Sequence, residues 1–260
     1  MNKIFPDYVH CIVNTDDRAW PVEPQGYCEC DYAATANALN LLAGERRYSK
    51  DEFIRMARFF FQPRLGGTIS PIKVWQMRWH GFGTHFGNLS QTNYEFVLRD
   101  LVDRGVPTIV EIGVAFKIGK MLIYGRHSIV LVGYSDPYRD VNGQLREEYY
   151  FVDSQWPVKG PFDLTANDVD RDGDGIVEVF PGNRTMSRED FRAAFPTGLY
   201  FPVFRSKEEH KRWYMSLLRS KKRIPIIGWL SKIWLTGSFD VLIEDTPSDV
   251  GKEVFNEIKY

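Results

Sequence analysis

The chain has 260 residues, of which 43% are hydrophobic and 26% charged, and its formal net charge is -1. That balance describes a globular protein with a sizeable core. It excludes a disordered polyelectrolyte and a chain drawn to nucleic acid by its overall charge. No stretch reaches the roughly 18 apolar residues of a membrane span, and the opening MNKIFPDYVHC lacks the apolar run of a signal peptide. The expected location is the cytoplasm, or outside the cell if a signal has been removed. Three cysteines, Cys11, Cys28 and Cys30, cannot form a complete disulfide framework, and Cys28 and Cys30 lack the CxxC spacing of zinc and redox motifs.

In chain order, residues 1 to 23 read as an irregular or short-strand lead-in, with Cys11 as a core residue. From about Asp31 the pattern becomes helical: Ala33, Ala34, Ala38, Leu41 and Leu42 recur at three- and four-residue steps until Gly44. Ser49 and Glu52 form a capping box ahead of FIRMARFFF, which predicts a second helix. Ser70 followed by Pro71 starts a third, running to about Trp79 before Gly81. NYEFVLRDLVDR, from Asn93 to Arg104, is a fourth, stopped at Gly105.

The period then changes. VPTIVEIG reads as a strand; after a loop come HSIVLVGY and, across a polar turn containing Asn142 and Gly143, EEYYFVD, which pair as an antiparallel hairpin. SREDFRAAF, from Ser187 to Phe195, is another capped helix, and GLYFPVF returns as a strand. Helices first and a sheet second make an α+β fold.

After residue 204 the composition shifts. Residues 205 to 223 carry eight lysines and arginines against two glutamates and lead into IPIIGWLSKIWL. The division expected is a main domain over 1–204 and a C-terminal helical extension over 205–260 packed on it, with a membrane-surface or partner-docking element as the alternative reading of the basic stretch.

Chemistry concentrates around the first helix. Cys30 sits at its start, where the partial positive charge of a helix N-terminus stabilises a thiolate. His127 opens HSIVLVGY and Asp153 ends YYFVD, so adjacent strands can present an imidazole and a carboxylate side by side. Gln25, five residues before Cys30, supplies an amide N–H that can join the Cys30 backbone N–H as an oxyanion donor. Each residue also has a bland reading. Cys28 is a rival nucleophile, and either cysteine can be a small buried hydrophobe. His127 can be a satisfied structural histidine, and Asp153 a turn cap. Their joint order favours catalysis. Of the other histidines, His80 and His85 bracket a glycine-containing turn and could line a cleft.

The run from Gln25 through CDYAATANAL, HSIVLVGY and YYFVD resembles the papain-like cysteine peptidases, and within them the bacteriocin-processing, double-glycine-leader type and its broader relatives. LRDLVDRGVPTIVEI and MSREDFRAAF also resemble that family's elements, and the similarity covers roughly residues 20 to 204. The resemblance implies a papain-like fold in which an N-terminal helical part, with the catalytic helix, packs on an antiparallel sheet. It also implies a Cys30–His127–Asp153 triad with Gln25 as oxyanion donor, a peptide or protein substrate, and no cofactor needed for catalysis. Relatives usually carry Cys-Gly-Pro where this chain has Cys30-Asp31-Tyr32. A carboxylate approaching the sulfur would oppose the thiolate.

Three functions remain open at this level: a cysteine peptidase, a thiol-dependent acyltransferase, and a catalytically silent peptide-binding module whose groove would use Trp75, Trp79 and Trp156. Asp31 is the feature that favours the last. A separate acidic stretch, DVDRDGDGIVE, places Asp168, Asp170, Asp172, Asp174 and Glu178 in a glycine-containing loop like those that hold calcium, although Pro181 stands where the bidentate glutamate belongs. It reads as a structural Ca2+ site of altered geometry or as a solvated acidic turn.

Overall fold

In the computed structural model the described residues are 6–12, 22–26, 28–57, 70–89, 94–118, 121–155, 170, 173, 175, 181–195 and 198–220, with backbone alone for 114–125 and 218–220. The first helix, α1 (Cys30–Ala43), is the centre of the helical layer: eleven of its fourteen residues are buried, so it is covered on nearly all sides. Its alanines let neighbours approach closely, and it ends at Gly44, whose positive φ of 70° and N–H bond to the Asn40 carbonyl close the last turn. Helices α2 (Lys50–Ala57) and α3 (Ser70–Trp79) pack against it.

Two buried asparagines of α1 organise the flanking chain. Asn37 accepts from the Glu23 N–H at 2.7 Å and donates to the Glu23 carbonyl, fixing the segment that leads to Gln25. Asn40 does the same for the turn into α2, accepting from the N–H groups of Arg47 and Tyr48.

Behind α1 lies an eight-stranded sheet. The strands are β1 (Val9–Cys11), β2 (Gly83–Thr84), β3 (Gly87–Asn88), β4 (Thr108–Ile118), β5 (Met121–Ser135), β8 (Glu148–Val152), β9 (Arg184–Ser187) and β10 (Leu199–Phe204), and a separate two-stranded ribbon joins β6 (Tyr138–Arg139) to β7 (Leu145–Arg146). The order β2-β10-β4-β5-β8-β9 is antiparallel throughout, with β1 added to β5 and β3 to β10. Alternating side chains serve two cores. Ile109, Val130, Val132, Val152, Phe201 and Val203 face the α1 side. Val110, Ile129, Leu131, Phe151, Tyr200 and Phe204 face α4 (Tyr94–Asp103) and α5 (Arg188–Ala194). Ser187 caps α5, its hydroxyl accepting from the Asp190 N–H.

The layout is α+β, with the Cys30 helix on an antiparallel sheet, as expected. Two strand readings change. β4 and β5 form one long hairpin paired from Thr108↔Leu131 to Ile118↔Met121, so the stretch read as a loop before His127 is strand, and His127 lies inside β5 rather than opening it. Cys11 is half-buried on β1 and not a core residue, because only three residues of that strand pair along β5.

The histidines expected at a cleft are also placed otherwise. His80 packs edge-on to Tyr48 and Phe53 and faces Glu52. His85 is buried, its Nδ1 bonded to His210 Nε2 at 2.9 Å and its Nε2 to the Tyr200 hydroxyl at 3.1 Å. His210 belongs to α6 (Lys207–Ser220), which is fastened to the main core by this contact, by buried Trp213 and by the Trp213 indole N–H on Asp100. Residues 221–260 lie outside the described residues. Among the described residues no helix is long and apolar enough to cross a membrane.

Candidate active site

Cys30 is the first residue of α1, so its backbone N–H has no partner one turn earlier in the helix. The approach to it is a tight turn: Cys28 has a φ of 59°, a left-handed conformation that L side chains adopt rarely and that costs about 1–3 kcal/mol. Glu29 steadies this turn by accepting from the Gly26 N–H at 2.7 Å and pairing with Lys50.

His127 is buried in β5 and bonded through Nε2 to Asp153 Oδ1 at 2.7 Å. With Nε2 taken by Asp153, Nδ1 is the nitrogen left to face the Cys30 sulfur, which acts electrostatically on the imidazole. Burial works against the imidazolium, but the hydrogen bonds and charges of Asp153 and Cys30 outweigh it and raise the His127 pKa to about 9. Burial likewise opposes the Asp153 carboxylate; His127, the Gln155 N–H and Arg184 reverse that and hold its pKa below the ordinary value.

Asp153 is fixed from all sides at the end of β8. Its N–H donates to Asn183 Oδ1 at 2.8 Å, its carbonyl accepts from Asn183 Nδ2 at 2.9 Å, and Arg184 Nη1 reaches its Oδ2 at 2.6 Å. Gln25 is tied to the same strand end, because Ser154 Oγ donates to Gln25 Oε1 at 2.8 Å and the Gln25 N–H reaches the Ser154 carbonyl. With its amide oxygen held, the amide nitrogen is the end that can donate elsewhere. Gln25, Cys30, His127 and Asp153 are thus brought together by the start of α1, the interior of β5 and the end of β8, whereas Cys28 lies two residues outside the helix.

A second set of charges stands beside this one. Lys73 of α3 is fully buried and its ammonium meets Asp31, Glu111 at 3.2 Å and Ser128 Oγ at 3.3 Å, with the Phe201 ring 4.1 Å away. Ser128 Oγ donates to Asp31 Oδ1 at 2.5 Å, and Arg126 approaches Glu111 at 3.4 Å. The Asp31 carboxylate is therefore compensated by a lysine. Sequence reading passed over Lys73, although Val74, Gln76 and Met77 share its buried helical face and a lysine at that spacing is a signal that a partner exists.

Two of the three tryptophans named for a groove lie on α3. Trp75 and Trp79 are exposed, with ring centroids 6.0 Å apart, and border a concavity of about 280 Å³ with Pro71, Val74 and Arg78. Trp156 is outside the described residues, as are Asp168, Asp172, Asp174 and Glu178 of the acidic loop. Asp170 is described, its carboxylate accepting from the N–H groups of Gly173 and Gly175.

No family model matches the chain, and no curated protein matches it. Among solved structures it is similar to the peptidase domain of Streptococcus ComA, described as a bi-functional ABC transporter involved in a quorum sensing pathway. The identity is 19% and the TM-score 0.41, over 71% of this chain and 98% of that one. A likeness at that level adds nothing to what the residues themselves support.

Proposed function

We propose that the protein is a cysteine peptidase, or another thiol hydrolase of amide bonds, on a papain-like α+β fold. The observation that carries the reading is the His127–Asp153 hydrogen bond together with Cys30 at a helix start acting on the same imidazole. This histidine has a carboxylate on one ring nitrogen and leaves the other for a thiol whose charge it feels, the arrangement that makes a sulfur nucleophilic.

In this reading Cys30 gives its proton to His127 Nδ1 and attacks the carbonyl carbon of the scissile amide. The developing oxyanion is met by the Cys30 backbone N–H and the Gln25 amide nitrogen, each worth about 3 kcal/mol in comparable sites. The imidazolium returns its proton to the departing amine as the C–N bond breaks, leaving a thioester. Water, losing a proton to His127, then attacks the thioester carbon and Cys30 leaves as the thiolate. Asp153 keeps the imidazole oriented and supports its charge in both halves. Asp31 does not count against activity, since its charge is balanced by Lys73.

The test is alkylation of the native protein with an iodoacetamide or epoxide probe at mildly acidic pH, mapped by mass spectrometry, in wild type and in His127→Ala. Rapid modification confined to Cys30 and lost without His127 is the expected result. Labelling no faster than an ordinary thiol, or equal at Cys28 and Cys30, would overturn the catalytic reading and leave a peptide-binding module.

A further inference from the structure

Cys30 and His127 act on each other electrostatically, and the residues that follow each of them are hydrogen-bonded. Asp31 succeeds the nucleophile on α1, Ser128 succeeds the histidine on β5, and Ser128 Oγ donates to Asp31 Oδ1. Two parallel links therefore join the helix start to the strand. The second link is closed by Lys73, whose three ammonium hydrogens face three acceptors: Asp31, Glu111 and Ser128.

We propose that Lys73 is a positioning residue for the Cys30–His127 pair: through Asp31 and Ser128 it fixes the helix start against the histidine strand and cancels the carboxylate charge that would oppose the thiolate. The inference rests on the catalytic reading given above.

The physical case is a charge count around a dry site. The charged groups joined around the Cys30–His127 pair are Asp31 from α1, Lys73 from α3, Glu111 from β4, Arg126 and His127 from β5, and Asp153 at the end of β8 with Arg184 from β9. Asp31 and Glu111 balance Lys73 and Arg126, and Asp153 balances Arg184, so a thiolate–imidazolium pair forms in surroundings of zero net charge. Without Lys73, the two buried carboxylates of Asp31 and Glu111 would have only the exposed Arg126 opposing them. In a low-dielectric site that imbalance favours the neutral thiol. Phe201 closes the ammonium off from water and contributes its ring face.

A brace alone and a brace that also balances charge predict different things. The rate of Cys30 alkylation against pH is measured in wild type, Lys73→Met, Asp31→Asn and the Lys73→Met, Asp31→Asn double variant, with Glu111→Gln as a further arm and with melting temperatures recorded alongside. Lys73→Met is expected to move the midpoint of the profile up by about one unit, a tenfold loss of rate on its acid side, and Asp31→Asn to move it down. The double variant returns toward wild type. Glu111→Gln shifts it in the same direction as Asp31→Asn, so the sign is read even where Lys73→Met does not fold. Midpoints that stay at the wild-type value, or that move the same way in Lys73→Met and Asp31→Asn, overturn the proposal. A wild-type Cys30 without His127-dependent reactivity is a different failure, that of the catalytic reading itself.

Discussion

Arg184 Nη1 donates to Asp153 Oδ2 at 2.6 Å, the carboxylate oxygen that His127 does not use. The two bonds lock the carboxylate plane, and Asn183, the residue before Arg184, holds the Asp153 backbone at both its N–H and its carbonyl. The dipeptide Asn183–Arg184 at the entry to β9 thus orients the third member of the site. Arg184→Met keeps most of the packing volume and removes the bond to Oδ2. It is expected to slow Cys30 alkylation by roughly tenfold, less than the loss of about 10⁴ that follows neutralising the carboxylate in comparable triads. An unchanged rate would show that Asn183 and His127 suffice to orient Asp153.

The raised His127 pKa sets a pH window. An imidazolium that persists to about pH 9 can serve as general acid to the departing amine over the whole neutral range, so the alkaline limb of kcat/KM on an amide substrate falls near pH 9. Asp153→Asn removes one source of the shift and moves that limb to lower pH. Stability follows the same linkage. The histidine's folded pKa lies above its ordinary value, so its contribution is complete below the ordinary histidine range and is lost as pH rises through about 9. Asp153 is depressed, so its contribution is present above the ordinary carboxylate range and is lost as pH falls. The gap between the denaturant midpoints of wild type and His127→Ala should therefore narrow as pH rises through about 9, and a constant gap would contradict the assignment.

The sequence announced α1 through its alanine steps and the Gly44 stop, and the strands through continuous apolar runs, because burial on a sheet or under helices imposes those periods directly. The order of Gln25, Cys30, His127 and Asp153 was legible for the same reason: Cys30 starts a helix, His127 lies in an apolar strand, Asp153 follows another, and Gln25 precedes the helix. What escaped is the part set by distant partners. Asp31 read as an obstacle because its counter-charge, Lys73, is 42 positions away on another helix, and no local pattern joins them. Arg184 escaped likewise, in a β9 strand of four residues without an apolar run. The extension of β4 and β5 past Gly113 was missed because GVAFKIGKMLIYGR mixes glycines and lysines into an apolar alternation and so resembles a loop. His85 and His210 pair across 125 positions, and only the close packing of α6 on β2 explains why two imidazoles should be buried together.

That packing gives a stability prediction. A Cβ placed on Gly83 would stand 2.2 Å from the Ser206 carbonyl oxygen and 2.4 Å from His210 Cβ, so a side chain there must push α6 off β2. Gly83→Ala is expected to lower stability by about 2 kcal/mol or more, because backbone and not a flexible chain end must yield. His85 and His210 are already held neutral, burial pushing the first well below the ordinary histidine value and the second down to about 3, so this contact does not respond to pH in the neutral range. Chemical denaturation of Gly83→Ala at pH 6 and pH 8 should show the same loss at both. A pH-dependent loss would mean that one of the imidazoles is charged in the folded state.

Gln25 gives the sharpest separation of roles. Its amide oxygen is engaged by Ser154 and its nitrogen is the end that can donate to an oxyanion, a charge that exists only once the thiolate has attacked. Gln25→Ala should therefore leave the alkylation of Cys30 nearly unchanged, since displacement at an iodoacetamide carbon builds no oxyanion. The same variant should reduce kcat on an amide or ester substrate by about 10²- to 10³-fold with little effect on KM. Ser154→Ala, which frees the amide to turn, is expected to show a smaller loss of the same kind. Measuring both reactions on one preparation decides the matter: a parallel loss would place Gln25 in the folding of the Cys28 turn, whereas loss of turnover with alkylation intact would place it at the reacting carbonyl.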